Sequence, residues 1–137
     1  MRQSIRNGAQ MDKLYNAAEL LGRILIALLF LISGVGKIGG YAGTQTYMAS
    51  MGVPGALLPL VILTEAGGAI AILLGWKTRW AAFALAGFCL LTATLFHTHF
   101  ADKGQITSFL KDIALAGGFL ILFAHGAGAW SLDHRKG

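Results

Sequence analysis

Glu65 is the residue with the most chemical promise, because no Asp, Glu, Lys, Arg or His occurs from Ala42 to Thr64 before it or from Ala66 to Trp76 after it. A carboxylate in so apolar a stretch must be protonated, ion-paired or wetted. Its chemistry is therefore proton exchange or ligand contact inside a helix bundle, and the structural alternative is an ion pair that fixes packing. Lys37, Lys111 and Asp112 are the charges that fall at comparable depth once helices are drawn, joined by His97 and His99. Two lysines and two carboxylates balance, and such a cluster removes much of the burial cost. Lys111 and Asp112 point roughly 100° apart on a helix, so Asp112 is expected to face the bundle while Lys111 reaches the interface.

Histidine and arginine give weaker signals. His97 and His99 diverge by roughly 200° if both are helical, and only an extended His-x-His could chelate a metal together with Asp102. With no third histidine nearby, no metal site is expected, and His97 takes a hydrogen-bonding role. Arg23 follows Glu19 by four residues, the better orientation for a helical ion pair, and shares nearly one helix face with Lys37. It joins Glu65, Lys37, Asp112 and His97 in the candidate polar or proton-handling site, although it lies toward the opposite end of its helix, where pairing or snorkelling also explains it.

The elements that must position these groups are membrane helices. Hydrophobic residues make up 55% of the chain and charged residues 12%, against roughly 25% charged in soluble domains. Four windows reach the roughly 20 residues needed to cross the hydrocarbon. They are about 17–38, 56–75, 80–99 and 106–125, flanked by a tail at 1–16 and another at 126–137. The fold class is thus all-α, an integral membrane four-helix bundle with short loops. The first loop between spans contains Thr44 as a cap, Tyr47, Met48 and Met51 at one-turn spacing, and then Gly52-Val53-Pro54-Gly55. It reads as a short interfacial helix, with Pro59 tolerated in the first turn of the second span. Gly67, Ala71 and Gly75 recur every four residues and would let another helix approach closely.

Of the eleven basic residues, eight (Arg2, Arg6, Lys13, Arg23, Lys77, Arg79, Arg135, Lys136) gather at one end of this topology and three at the other. Both termini are therefore expected in the cytoplasm. The same distribution removes the nucleic-acid partner that the net charge of +5 would otherwise suggest. The single cysteine, Cys89, excludes an intramolecular disulfide or a dithiol redox pair. The first apolar segment runs on through Ser33-Gly34-Val35-Gly36 into Lys37, in place of a short apolar core with an Ala-x-Ala-like exit, so a cleaved signal peptide is not expected.

Several segments together carry a resemblance: Gly22-Arg23-Ile24-Leu25 leading to Ser33-Gly34-Val35-Gly36-Lys37, then Gly40-Tyr41-Ala42-Gly43-Thr44-Gln45, Met51-Gly52-Val53-Pro54, and Glu65-Ala66-Gly67-Gly68 running to Gly75-Trp76-Lys77-Thr78-Arg79. In these the chain resembles the DoxX family. The resemblance implies a four-helix protein of the bacterial inner membrane, in a family named for a subunit of an archaeal terminal quinol oxidase and thiosulfate:quinone oxidoreductase. By position, Arg23, Lys37, Glu65 and Arg79 match charged positions of the family pattern, and His97 matches the histidine that ends the third helix.

The resulting expectation is a redox-associated membrane subunit, linked to quinone or to an oxidoreductase partner, with a polar cluster around Glu65. Quinone enters as a cofactor by family analogy alone. A small proton-coupled transporter and a non-catalytic assembly factor are the alternatives, so enzymatic activity is left open. The expected partners are the lipid bilayer, further copies of the chain or an oxidoreductase.

Overall fold

A computed structural model describes residues 1–98 and 101–136, without the Lys136 side chain. Among the described residues no strand occurs, and four helical segments are long and apolar enough to cross a bilayer. α1 runs from Arg2 to Gly39, α2 from Tyr41 to Ser50, α3 from Gly55 to Leu74, α4 from Thr78 to Phe96, α5 from Lys103 to His125 and α6 from Leu132 to Lys136. The spanning segments are α1, α3, α4 and α5, and α2 is the short helix in the first loop.

Local sequence explains where these helices stop. Gly75 takes a left-handed conformation at φ 69° to end α3, and Lys77 at φ 47° turns the chain straight into α4. Asp102 opens α5 by accepting a hydrogen bond from the Gly104 N–H at 2.9 Å, and Gly126 closes it at φ 82°. Pro59 occupies the first turn of the α-helical part of α3, where a missing N–H does no harm. Thr44 does not cap α2, which starts three residues earlier. Its hydroxyl donates instead to the Gly40 carbonyl at 2.9 Å, one turn back.

Other boundaries differ from expectation in instructive ways. At 38 residues α1 is about twice as long as the hydrocarbon requires, because the polar stretch before 17 contains no Pro to stop it. The third span ends at Phe96, since His97 at φ −125° leaves the helix, and His99 lies outside the described residues. The last segment folds back: the Asp133 N–H donates to the Gly75 carbonyl at 2.8 Å, tying α6 to the turn between α3 and α4.

α1 packs along α3, α3 against α4 through its Gly68–Leu74 half, and α4 along α5. Ala27, Phe30, Ala69, Ile72, Leu85 and Phe119 form the centre of the core. Phe30 and Phe119 meet edge to face with centroids 5.3 Å apart, joining α1 to α5. Leu63, Trp80 and Ile121 remain exposed, as expected for surfaces that meet lipid. Close approach between spanning helices uses Gly34 and Gly68, which were not anticipated. A methyl at Gly34 would come within 3.0 Å of the Ala66 backbone, and one at Gly68 within 3.1 Å of Leu85; Gly67 would meet only Leu63, at an ordinary 3.7 Å, whereas Gly75, besides serving the turn, is closely covered by Ser131 and the Arg23 side chain.

Candidate functional site

Glu65 sits where α3 changes its winding. Between two α-helical stretches, Leu63–Gly67 forms a π-helical turn, and Glu65 lies inside it, 2% exposed. An extra residue in one turn releases part of the regular hydrogen-bond ladder and re-aims the side chains after it, a device common at functional positions. The close contact of Gly34 with Ala66 and Glu65 Cβ then brings α1 directly against this turn. One turn beyond Gly34 on α1, Lys37 Nζ reaches Glu65 Oε1 at 2.6 Å and donates to the Ser33 hydroxyl at 2.7 Å.

Asp112 on α5 faces inward, buried, while Lys111 is exposed. His97 Nε2 lies 3.6 Å from Asp112 Oδ2, and His97 Nδ1 is 3.2 Å from Gln105 Oε1. Gln105 thus engages Nδ1 and fixes the orientation of the ring, whichever partner carries the proton. The opposite nitrogen then faces a carboxylate oxygen across a gap longer than a hydrogen bond, and Asp112 Oδ2 has no hydrogen-bond partner among the described residues. Either a proton on that nitrogen or a hydroxyl placed between the two completes this pair.

Both pairs line one cavity of ≈ 740 Å³, together with Ser33, Lys111 and a large apolar wall. This volume lies within the roughly 300–1,000 Å³ range of small-molecule sites. Its wall includes Phe30, Leu60, Phe83, Phe88 and Leu91, so the polar groups are confined to one part of a greasy space. Cys89 also lines it but is buried, and no group of three metal-ligand side chains occurs among the described residues.

Arg23 does not join them. Four turns back along α1, at the other end of its membrane-crossing part, its guanidinium is buried and donates to the Ile72 carbonyl at 3.1 Å, to the Leu73 carbonyl at 3.3 Å and to the Trp130 carbonyl. These are two carbonyls of the last turn of α3, of which that of Ile72 also accepts from the Gly75 N–H at 3.2 Å, plus one from the chain after α5. Asp133 does the complementary work, accepting from the Lys77 N–H at 2.6 Å and the Thr78 N–H at 2.9 Å at the start of α4. Burial alone would raise the Asp133 carboxyl, but these amide donors and the Arg23 charge outweigh it and hold it below the usual carboxylate value. Arg79 lies over Gly126 at this same end. The difference from the sequence reading has a plain cause: Arg23 has backbone partners 49, 50 and 107 residues away, and Glu19 is not its salt-bridge partner.

Sequence reasoning missed Ser33, Gln105 and the π-helical turn. Ser33 stands four residues before Lys37, a spacing that could have flagged it. Gln105 reaches His97 across a loop, and nothing local announces it.

Comparison with known proteins agrees with this architecture. The family model for DoxX matches residues 18–98. The Escherichia coli K12 protein named inner membrane protein YqjF is 54% identical over 123 residues, which covers 90% of this chain and 95% of that one. Inner membrane protein YphA of the same organism is 38% identical over 123 residues, covering 85% of this chain and 88% of its own length. A Bacillus subtilis 168 protein named "Putative oxidoreductase CatD" is 28% identical over 69 residues, half of this chain and 52% of that one. No solved structure matches the chain.

Proposed function

The chain belongs to the DoxX family, and from that premise we propose that it is a quinone-linked, redox-associated subunit of the bacterial inner membrane whose working groups are Glu65, Lys37, Asp112 and His97. The observation that carries the reading is the unsatisfied Asp112 Oδ2, buried beside His97 at the polar part of a largely apolar cavity. A buried acceptor without a donor is costly, and a ligand hydroxyl is the group that would relieve it. The residues present therefore fit a quinone in its reduced, quinol form: the apolar wall suits its ring and tail, one ring hydroxyl can donate to Asp112, and the other oxygen can accept from Lys37.

When bound, a quinone supplies two-electron chemistry coupled to protons. Lys37, already held by Glu65 and Ser33, would donate a hydrogen bond to one oxygen of the ring. His97 and Asp112 would hold the proton that leaves or joins the other. The Gln105 carbonyl orients the imidazole for that exchange. Cys89 being the sole cysteine, the chain supplies no dithiol, and electrons are assigned to an oxidoreductase partner. The naming of a distant relative as an oxidoreductase supports that association. Inner-membrane residence follows the named relatives, and the eight-to-three split of basic residues supports cytoplasmic termini; with that orientation the cavity would lie in the periplasmic half.

The test is binding of a hydroxyl-bearing quinol-type quinone analogue to purified protein in nanodiscs. Wild type should bind, and Glu65→Gln and Asp112→Asn should each lose at least about tenfold in affinity, roughly 1.4 kcal/mol. No binding by wild type, or unchanged binding by both variants, removes the reading.

A further inference from the structure

The cavity has two sides with different access. Above its polar part lies α2, where Met48 is buried and Tyr47 stacks on Phe96 with ring centroids 5.5 Å apart at 23°. Tyr47, Met48 and Thr44 all line the cavity, so this helix roofs it on the side nearest the membrane surface. The other side is the seam between α3 and α4. There the Gly68–Leu74 half of α3 packs well against α4, but the Leu58–Ile62 stretch hardly touches it. The two helices therefore part company above the π-helical turn. Leu60, Phe83 and Leu91 line the cavity and are also 60%, 57% and 61% exposed, so one set of side chains belongs both to the interior and to the lipid-facing surface. Gly87, on the α4 edge of this seam, lines the cavity too, and a side chain added there would meet open space.

We infer that the cavity is entered from within the bilayer, through the seam between α3 and α4, and that it takes a membrane-dissolved amphiphile whose polar head reaches Glu65, Lys37, His97 and Asp112 while its tail lies between Leu60, Phe83 and Leu91. An apolar slot open to lipid offers a water-borne solute no favourable path, and a tail left in the seam stays in hydrocarbon while the head moves inward. The unpartnered Asp112 oxygen asks the head for a hydrogen-bond donor. This rests on the quinone reading only for the identity of the head. A long-chain fatty acid shares the same chemistry of protonatable head and apolar tail.

The experiment uses the full chain in nanodiscs with the native thiol removed by Cys89→Ala and a reporter thiol placed by Thr92→Cys, at a part-buried cavity position. An alkyl maleimide that partitions into lipid should label the reporter, and a charged, membrane-impermeant maleimide should label it at least tenfold more slowly. Adding Gly87→Trp should slow the alkyl reagent at least tenfold, whereas Tyr47→Ala should leave its rate within twofold. Labelling by the charged reagent at a comparable rate, no labelling of the folded protein by either reagent, or acceleration by Tyr47→Ala with no effect of Gly87→Trp would each overturn the lateral route. Unfolded protein labels with both reagents and serves as the control. Protection by a long-tailed quinone analogue but not by a long-chain fatty acid assigns the head to a quinone. Protection by the fatty acid alone overturns the quinone reading and leaves the route standing, and protection by neither overturns the occupant proposed here.

Discussion

The two ends of the bundle spend their buried charges differently. At the end that holds the termini, Arg23 and Asp133 bond to backbone: three carbonyls for the guanidinium, two amides for the carboxylate. At the other end, Lys37, Glu65, His97 and Asp112 meet side chain to side chain around open space. Backbone groups at helix termini cannot move away or change protonation, so charges aimed at them close the fold. Both ends leave a buried polar atom without a partner, Arg23 Nε at the first and Asp112 Oδ2 at the second, but of these two only Asp112 borders the cavity, where a ligand can reach it. The contrast separates structural from functional burial more sharply than depth does, since Arg23 and Glu65 are both 2% exposed.

Removing the guanidinium should produce the largest loss of stability. Arg23→Met leaves the ends of α3 and the chain after α5 without their shared donor, at a cost of about 3 kcal/mol. A denaturant titration in mixed micelles should show it as a lower midpoint. If Arg23→Met is as stable as wild type, the terminal end is not the clasp described here.

Gly34→Val comes next and tests how the ends are coupled. Its added atoms meet the Ala66 backbone at 3.0 Å, and overpacking of this kind costs about 2 kcal/mol. Pushing α1 away from the π-helical turn should also part Lys37 from Glu65, so ligand affinity should fall along with the melting temperature. A destabilised variant with unchanged affinity would mean that the pair tolerates displacement of α1.

Much of the cavity end could be read from the sequence, and little of the terminal end. The comparable depth of Lys37, Glu65, His97 and Asp112 followed from opposed helices, though not which of them pair, and the inward turn of Asp112 followed from its angular separation from Lys111. Both are consequences of one helical repeat, which sequence carries directly. The clasp was illegible because backbone carbonyls have no sequence signature: Arg23 next to Glu19 looks like a local pair whatever lies across from it. The π-helical turn at Leu63–Gly67 escaped for a related reason, since Glu65-Ala66-Gly67-Gly68 permits either winding and tertiary packing chooses. Gly34 and Gly68 were hidden among many glycines that touch nothing.

A smaller effect belongs to Asp133→Asn, which keeps one acceptor and loses the charge. It should lower stability by about 1 kcal/mol, the usual worth of a helix cap. The wild-type contribution has a defined sign in pH. The folded carboxyl lies below its ordinary value, so its stabilisation is fully present above about pH 4 and is lost as the pH falls through the folded value. The difference in midpoint between wild type and Asp133→Asn should therefore shrink below about pH 4. A difference that grows on acidification would contradict the assignment.

Glu65→Gln should have the smallest effect on stability, despite the deeper burial of its site. Glutamine retains a carbonyl oxygen to accept from Lys37, and Lys37 keeps its bond to the Ser33 hydroxyl, so no polar group is left without a partner and the change should stay below about 1 kcal/mol. Affinity for the quinone analogue should nevertheless fall by the tenfold or more stated above. Measured together with Arg23→Met in the same micelles, this gives a crossed pattern: a charge whose loss undoes the fold at one end, and a charge whose loss spares the fold and empties the site at the other. If Glu65→Gln unfolds the protein as readily as Arg23→Met, the Lys37–Glu65 pair is a second clasp, and the cavity end loses its claim to be the working one.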